Sequence, residues 1–399
     1  MIGRPTLSCE QLALRARSAI EQAARRLQRT RASWPPDRPA PVHTRGGRWY
    51  RPDNLWTDWT PGFYAGQMWI LARLTGESGW RAAAEAHTLP LKPRRFDRNV
   101  HDLGFIFLST YRRWFDLLPA DDRSSEALRE VLVTAATVQS FRWRTLPGGG
   151  DGFVYSFNGP QSLFIDTLMN IRLLFWAAHH DEKTAAEGEV GRRAREHAST
   201  SLRYLVRRNG SALGDEDGRV AHEAIFNAEP GRGEFRCLST QQGYSPFTTW
   251  SRGLAWAIYG FADAHAWTAA PEFLEGAERC AGYFLSHTPE DGVPYWDYGA
   301  PRIPDEPLDS SAAAIAVCGL RLLARQAVGA GADRYRMAAA RILETLLSEK
   351  FLSRPDSAEE GILLHGTYHR PRNWGVDCSV MWGDYFFLEA LEGLLLDAA

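Results

Sequence analysis

Six segments of the chain share one hydrophobic pattern. In each, a polar and aromatic stretch leads into a helix whose small and apolar residues extend around most of its circumference. The segments cover residues 56–69, 101–107, 164–174, 248–259, 308–320 and 382–391. Helices that are apolar on all sides are buried, whereas helices with one apolar face cover them. The pattern therefore predicts six buried helices, each preceded by a polar loop.

One-sided helices follow most of the buried ones. Charged segments with a single apolar stripe cover residues 124–137, 185–207, 271–285 and 335–349. Alternating runs of β-branched residues, which would indicate strands, are nearly absent. Six inner and six outer helices in alternation predict an all-α fold, the (α/α)6 barrel, whose polar loops converge at one end. The competing architecture, an α-solenoid, needs a fixed-period repeat that we do not find in the sequence.

An amphipathic helix is predicted for residues 7–29, and a proline-rich stretch that contains Pro36 ends it. We therefore divide the 399 residues into two parts. Residues 1–40 form an N-terminal helix and lead-in packed on the barrel, and residues 41–399 form a single (α/α)6 catalytic domain.

Composition removes several classes of function. A net charge of −2 gives no electrostatic reason to bind nucleic acid or an anionic membrane. The N-terminus lacks the apolar core of a signal peptide, and no apolar run approaches the length of a membrane span. The five cysteines are scattered without metal-binding spacing, which favours reduced thiols in the cytoplasm. The 15 tryptophans suit a core and also a carbohydrate cleft, where sugar faces stack on rings.

Asp166 stands at the head of the apolar run 164–170 and has two interpretations. Its carboxylate can cap a helix by accepting the free amide hydrogens of the first turn. Alternatively, its apolar neighbours disfavour the charged form, so that the carboxyl holds a proton near neutral pH. The residue alone does not decide between them.

Further polar and aromatic residues stand in the loops before the buried helices. They are Trp56, Asp58, Trp59, His101, Asp102, Gln242, Trp250, Arg252, Trp256, Asp309 and Asp384, with His222 in a long loop of its own. In a barrel all of them face one cavity. Simpler interpretations are helix caps for Asp58, Asp309 and Asp384, and a buried, satisfied histidine for His101.

Arg252 stands among aromatic residues at the start of a buried helix, where an unpaired charge is costly. It therefore needs an anion, which is either a protein carboxylate or a substrate carboxylate. The sequence shows no metal-binding histidine spacing, no P-loop, no dinucleotide fingerprint and no nucleophile elbow. We expect chemistry driven by carboxylates, with no metal and no cofactor.

Six ordered blocks carry a family resemblance. They are HDLGF (101–105), IDTLMN (165–170), QGY (242–244), WSRGLAW (250–256), DSSA (309–312) and WGDY (382–385). These blocks resemble those of the unsaturated glucuronyl hydrolases of glycoside hydrolase family 88. The resemblance implies the (α/α)6 fold and the removal of a 4,5-unsaturated uronic acid from the non-reducing end of lyase-generated oligosaccharides. A monomer or homodimer is expected.

The resemblance also implies roles. Asp166 is the general acid and base, protonated because its neighbours are apolar, and Asp102 is the second essential carboxylate. The residues implied to line the uronate subsite are Trp56, His222, Gln242, Trp250, Arg252 and Trp256. The segment 364–372 lies where the next sugar binds; its His369, Arg370 and Arg372 either bind an anionic group or form a solvated basic loop.

Two other enzymes and one binding protein are alternatives. An unsaturated rhamnogalacturonyl hydrolase would use the same chemistry on pectin fragments. A sugar epimerase would need catalytic histidines that face each other, and only His101 and His222 stand out for that role. A non-catalytic carbohydrate-binding toroid would keep the tryptophans but would have no need for both Asp102 and Asp166.

Overall fold

The computed structural model describes residues 2–53, 55, 57–119, 121–122, 124–147, 151–181, 188–208, 217–229 and 231–397. In these ranges the chain is mostly helical and forms the predicted (α/α)6 barrel. The outer helices are α1 (Cys9–Ser33), α3 (Ser78–Thr88), α6 (Ser124–Ser140), α9 (Glu189–Leu205), α11 (Pro271–His287) and α13 (Ala330–Leu346). The inner helices are α2 (Pro61–Thr75), α4 (Leu103–Ser109) with α5 (Tyr111–Asp116), α7 (Thr167–Asn170) with α8 (Arg172–His180), α10 (Ser251–Thr268), α12 (Ser310–Gln326) and α14 (Met381–Asp397).

A glycine lies at each contact between neighbouring inner helices. A Cβ on Gly62 would lie 2.6 Å from the carbonyl oxygen of Ile106, and a Cβ on Gly66 would lie 2.5 Å from the ring of Tyr385. The other four pairs are Gly104 with Asn170, Gly260 with Leu168, Gly319 with Tyr259, and Gly383 with Ser311. The series of contacts returns to the helix where it began, as a closed barrel requires. The small residues in the buried segments are therefore needed for close helix packing.

Short strands connect the helices. They are β1 (His43–Arg45), β2 (Arg48–Tyr50), β3 (Trp143–Thr145), β4 (Gly152–Val154), β5 (Ser162–Phe164), β6 (Glu223–Phe226), β7 (Phe235–Ser239), β8 (Gly366–His369) and β9 (Trp374–Cys378). Each has three to five residues, too few to show an alternating pattern in the sequence. The antiparallel sheet β5–β6–β7 matters for the site, because it pairs Phe164 with Glu223. The residues just beyond this pair, Asp166 and His222, therefore lie side by side.

Helix α1 starts with a capping box made by Ser8 and Gln11 and packs on the barrel. Its buried Arg26 donates to the backbone carbonyls of Arg354 and Glu359. The division of the chain at residue 40 stays a prediction. All five cysteines lie in the described ranges and none is in a disulfide. Among the described helices, none combines the length and the apolar character that crossing a bilayer needs.

Candidate active site

A narrow cavity opens among the N-terminal ends of the inner helices. Its lining comprises Thr57, Trp59, His101, Asp102, Phe105, Phe157, Phe164, Asp166, Gln241, Gln242, Arg252 and Tyr368. Four of the predicted site residues, Asp102, Asp166, Gln242 and Arg252, thus share one cavity, and a fifth, His222, contacts Asp166. The convergence predicted for the polar loops places both candidate carboxylates at the same opening.

Asp102 is buried immediately before α4, and its side chain does not cap that helix. Nε2 of His101 lies 3.3 Å from Oδ1 of Asp102, and Nδ2 of Asn170 lies 3.5 Å from the same oxygen. Because both groups are hydrogen-bond donors that approach Oδ1, a proton on this carboxyl group is bound to Oδ2. The Asn170 amide also donates to the backbone oxygen of Asp166 at 3.1 Å, so it connects the two acidic residues.

His101 is a neutral imidazole. Its Nδ1 accepts the backbone N–H of Phe157 at 3.2 Å, which places the ring hydrogen on Nε2, facing Asp102. Burial lowers the pKa of His101 to about 3. The simple interpretation of His101 as a buried and satisfied histidine is confirmed, and the same hydrogen bond directs its Nε2 hydrogen at the site.

Asp166 precedes α7 in a helical conformation and makes no side-chain capping bond. The capping interpretation of Asp166 is therefore wrong. Its Oδ2 lies 3.3 Å from Nε2 of His222, and its side chain keeps 13% exposure. A residue in the αR conformation points its side chain away from the free amides of the first turn, which a cap in the β region would reach. The carboxylate is directed to the cavity instead.

The two carboxyl groups have opposite pKa shifts. Burial, together with the negative charge of Asp166, raises the pKa of Asp102 from 3.8 to about 8. Burial also raises the pKa of Asp166, but contact with His222 and the charge of Arg252 outweigh it, and the pKa lies below its ordinary value. The prediction that apolar neighbours keep Asp166 protonated is wrong for the free protein. The opposite shifts favour a proton on Asp102 and a charge on Asp166.

His222 is oriented by the loop that follows β7. Its Nδ1 accepts the backbone N–H of Gln241 at 2.9 Å, with the N–H of Gln242 at 3.4 Å. The remaining nitrogen, Nε2, therefore carries hydrogen and faces Asp166. The ring packs between Phe164 and Trp250, with centroid distances of 4.6 and 4.8 Å. This packing holds the imidazole at a fixed angle to the carboxylate.

The anion that pairs with Arg252 is a carboxylate of the protein. Nη1 donates to Oδ2 of Asp309 at 2.7 Å and to the backbone oxygen of Thr367 at 2.6 Å. Nη2 donates to Oε1 of Gln242 at 2.8 Å and to the backbone oxygen of Tyr368 at 2.7 Å. The four Nη hydrogens are thus committed to protein acceptors. A direct role in holding a substrate carboxylate stays a prediction, and only Nε–H lies outside these contacts.

The three predicted caps have different outcomes. Asp309 caps α12, accepting the N–H of Ser311 at 3.1 Å, so this prediction is confirmed. Asp384 does not cap its helix: its oxygens accept the N–H groups of Ile362 and Leu363 at 2.9 and 2.8 Å. Asp58 pairs with arginines 51 and 94 at 3.2 and 3.3 Å. The cap interpretation is therefore wrong for Asp384 and for Asp58: Thr60 stands at the N-cap position of α2, and Asp58 anchors the loop before it.

The four predicted tryptophans have different outcomes. Trp56 lies outside the described residues. Trp250 is buried beside the site, with its ring 4.4 Å from the guanidinium of Arg252. Trp256 packs in the barrel interior against Phe105, at 5.0 Å between centroids, and does not line the cavity. Trp59, in contrast, lines the cavity.

The segment that was expected to meet the next sugar forms β8 and a short turn. His369 is buried, and its Nδ1 accepts the N–H of Arg372 at 3.3 Å. Burial lowers the pKa of His369 to about 3, so it is a neutral structural residue of this turn. Arg372 is exposed and stacks 5.0 Å from Trp374, while Nε of Arg370 lies 3.7 Å from Glu306.

Residues that sequence reasoning did not assign complete the site. Asn170 joins the two acidic residues, and Gln241, Phe157 and Tyr368 line the cavity. Asn170 had a signal, since it stands four residues after Asp166 and thus on the same side of a helix. The other three residues had no such signal in the sequence, because contacts between distant parts of the chain bring them to the cavity.

The barrel, with one buried and one partly exposed carboxyl group at its opening, has the architecture of a glycoside hydrolase of the (α/α)6 type. No protein-family model matches the chain. The unsaturated glucuronyl hydrolase of Bacillus sp. strain GL1 is 35% identical over 350 residues, covering 84% of this chain and 85% of that enzyme. The chain belongs to the unsaturated glucuronyl hydrolase family.

Solved structures agree with this assignment. The unsaturated glucuronyl hydrolase responsible for the degradation of glycosaminoglycan, from Bacillus sp. GL1, matches with a TM-score of 0.82 and 32% identity, over 94% of this chain and 96% of that one. An unsaturated glucuronyl hydrolase specific for heparin matches with a TM-score of 0.82 and 26% identity, over 97% of both chains. The family resemblance, the fold and the enzyme class are confirmed, in preference to the rhamnogalacturonyl hydrolase and the epimerase.

Proposed function

We propose that this hydrolase removes a 4,5-unsaturated glucuronic acid from the non-reducing end of lyase-generated oligosaccharides by hydrating the C4=C5 bond. The observation that supports the proposal is the Asp102–Asp166 pair, which brings a carboxyl group with a raised pKa and one with a lowered pKa into a single cavity. An acid and a base of this kind are what a proton transfer followed by water attack needs.

The reaction proceeds in two stages. A carboxyl group protonates C4 of the vinyl ether, which leaves positive charge on C5 and the ring oxygen. The carboxylate that gave the proton then takes one from water as the water oxygen bonds to C5. The resulting hemiketal opens and the glycosidic bond breaks by rearrangement. Because no displacement occurs at the anomeric carbon, the carboxylate-distance rule for inverting and retaining enzymes does not apply.

Asp166 is the group proposed to carry the proton to C4, although it is ionised in the free protein. The substrate brings its own carboxylate into the cavity, and added negative charge raises the pKa of neighbouring carboxyl groups. We place the substrate carboxylate closer to Asp166 than to Asp102, so that it raises the pKa of Asp166 more and the proton of the pair moves to Asp166 in the complex. Asp102 supplies that proton and, once ionised, stabilises the positive charge that forms on the sugar ring.

The polar residues around the pair are proposed to hold the uronate. Gln242 and Arg252 form one wall of the cavity, and Trp250 lies behind them. Since Arg252 is committed to Asp309, Thr367 and Tyr368, we assign the contact with the substrate carboxylate to the Gln242 amide, with the Arg252 charge close behind it. His222 is proposed to orient Asp166.

We propose unsaturated glycosaminoglycan fragments as the substrate class, a proposal supported by the two similar enzymes, of which one degrades glycosaminoglycan and the other is specific for heparin. Arg372, exposed beside Trp374, supplies positive charge for a sulfated second sugar. A cytoplasmic location, a monomer or homodimer, independence from metals, and no nucleic-acid or membrane partner complete the proposal. The free thiols and the small net charge support it.

A panel of lyase-generated unsaturated disaccharides tests the proposal. The conjugated uronate absorbs in the ultraviolet, so hydration abolishes the absorbance. We expect loss of absorbance on at least one glycosaminoglycan disaccharide, unchanged by a chelator. Constant absorbance on all disaccharides, with folded protein, would rule out the proposed function; inhibition by the chelator would rule out metal independence alone.

A further inference from the structure

Two adjacent glutamines, Gln241 and Gln242, line the cavity, and their side-chain amides are bound to the protein through opposite ends: one through its nitrogen and the other through its oxygen. Oε1 of Gln242 accepts a hydrogen bond from Nη2 of Arg252 at 2.8 Å. Nε2 of Gln241 donates to Oε2 of Glu223 at 3.2 Å. A guanidinium can only donate and a carboxylate can only accept, so each partner fixes which end of its glutamine amide it binds.

Glu223 is a buried carboxylate that the proposed mechanism does not use. It is 1% exposed and lies on β6, opposite Phe164 of β5. Three donors surround it: Oγ of Ser162 at 2.5 Å, Nδ2 of Asn158 at 3.1 Å, and the Gln241 amide. A carboxylate buried with fewer donors would be costly. The network is therefore strong enough to hold the Gln241 amide in one orientation.

The consequence is a fixed pattern on one wall of the cavity. With Nε2 of Gln241 turned to Glu223, its Oε1 is the end available to a ligand. With Oε1 of Gln242 turned to Arg252, its Nε2 is the end available. The wall thus presents an acceptor, Oε1 of Gln241, beside a donor, Nε2 of Gln242. A sugar matches this pattern when a hydroxyl group donates to the first and a neighbouring oxygen accepts from the second.

We propose that Gln241 is a specificity residue whose carbonyl oxygen accepts a hydrogen bond from a hydroxyl group of the bound sugar, and that Glu223 is the positioning residue that orients it. This inference rests on the proposed function, because it names a contact within the same site. Glu223 acts only through Gln241 and touches no substrate atom.

The test is a double-mutant cycle measured with the disaccharide that the wild-type protein hydrolyses fastest. Gln241→Met removes the amide at similar length, so KM rises about fivefold while kcat stays within about twofold, the effect of one neutral hydrogen bond. Glu223→Gln offers both donors and acceptors, which frees the Gln241 amide to turn, and KM rises by a similar factor. In the Gln241→Met background, Glu223→Gln then changes KM no further. Glu229→Gln, an exposed acid on the same hairpin, is the matched control.

Additive effects of the two substitutions on KM would overturn the positioning role of Glu223. If Glu223→Gln does not fold, Gln241→Met decides: a KM within about twofold of wild type overturns the inference. A second readout uses the substrate. Methylation of the recognised hydroxyl should raise the wild-type KM and leave that of Gln241→Met unchanged. Wild-type protein that is inactive on every disaccharide would count against the proposed function itself. An active wild type whose KM is not changed by Gln241→Met would count against this inference alone.

Discussion

The two ends of the barrel both bury charged side chains, but they balance them differently. A larger cavity, with a volume of about 460 Å³, lies away from the proposed site. There Arg113 donates to Glu392 at 2.8 Å, to Glu389 at 2.7 Å and to the hydroxyl of Tyr385 at 2.9 Å. Each of these carboxylates faces a cation. At the opening, Asp102 faces a second carboxylate, a neutral imidazole and an amide.

The pKa values reflect this difference. Burial raises the pKa of Glu389, but Arg113 and Arg172 outweigh it and the pKa lies below its ordinary value. At Asp102 no neighbouring cation outweighs burial, and the pKa rises to about 8. The larger cavity is thus a compensated structural network, whereas the smaller one keeps a carboxyl group ready to exchange a proton. The size of a cavity is a poor guide to function here; the charge balance is a better one.

The largest effect is expected at the opening. Asp166→Asn should lower kcat by about two to four orders of magnitude, because the amide can neither give nor take the proton. The melting temperature should stay near that of the wild type, since Asp166 caps no helix. Steady-state loss of ultraviolet absorbance and thermal denaturation measure the two quantities, and Asp305→Asn, an exposed acid, is the control. A folded variant with nearly full activity would remove Asp166 from the mechanism.

A substitution in the larger cavity should have the opposite result: it should lower stability and leave activity unchanged. Arg113→Met removes the cation in contact with buried Glu392 and half-buried Glu389, and should destabilise the protein by about 3–5 kcal/mol. The activity per folded molecule should be unchanged, because Arg113 is distant from the site. Urea denaturation and active-site titration separate the two. A loss of kcat in folded protein would show that the two ends are coupled.

Arg252 combines both kinds of effect. It is 1% exposed, is paired with Asp309 and orients Gln242. Arg252→Met should therefore lower stability by about 3 kcal/mol or more and should also raise KM. An unchanged KM in folded protein would make Arg252 purely structural. A raised KM without loss of stability would instead point to direct contact with the substrate carboxylate.

A further effect is expected in the pH dependence of stability. Folded Asp102 holds a proton up to pH of about 8, whereas unfolded Asp102 releases it near 3.8. Its contribution is complete below the lower value and is lost as the pH rises to the upper one. Asp102→Asn should flatten this decline, so that the variant is as stable as the wild type or more stable at pH 8. Melting curves from pH 5 to 9 test this; an equally steep decline in the variant would contradict it.

The sequence predicted the parts of the molecule that local patterns determine. Helix periodicity located all six inner helices, and the loops before them contain Asp102, Asp166 and Gln242. The partners in contact could not be predicted in this way. Arg252 meets Asp309 only because α10 and α12 are neighbours, and Glu223 meets Gln241 only through the pairing of β6.

The protonation of Asp166 was predicted wrongly from the sequence, and the reason is physical. Its apolar neighbours along the chain, Phe164, Ile165 and Leu168, favour a neutral carboxyl group. In the fold, however, His222 contacts its Oδ2, whereas at Asp102 the charges of Arg94 and Arg142 do not offset burial. Burial is visible in the local sequence, but charged neighbours are determined by the tertiary structure.

The central claim is that the free protein keeps one proton on Asp102 at neutral pH. Infrared difference spectroscopy tests it directly, because a protonated carboxyl group has a carbonyl band that an ionised carboxylate lacks. The spectrum of the wild type minus that of Asp102→Asn at pH 7 should contain this band, and it should disappear at pH 10. A difference spectrum at pH 7 that shows only an ionised carboxylate would contradict the account.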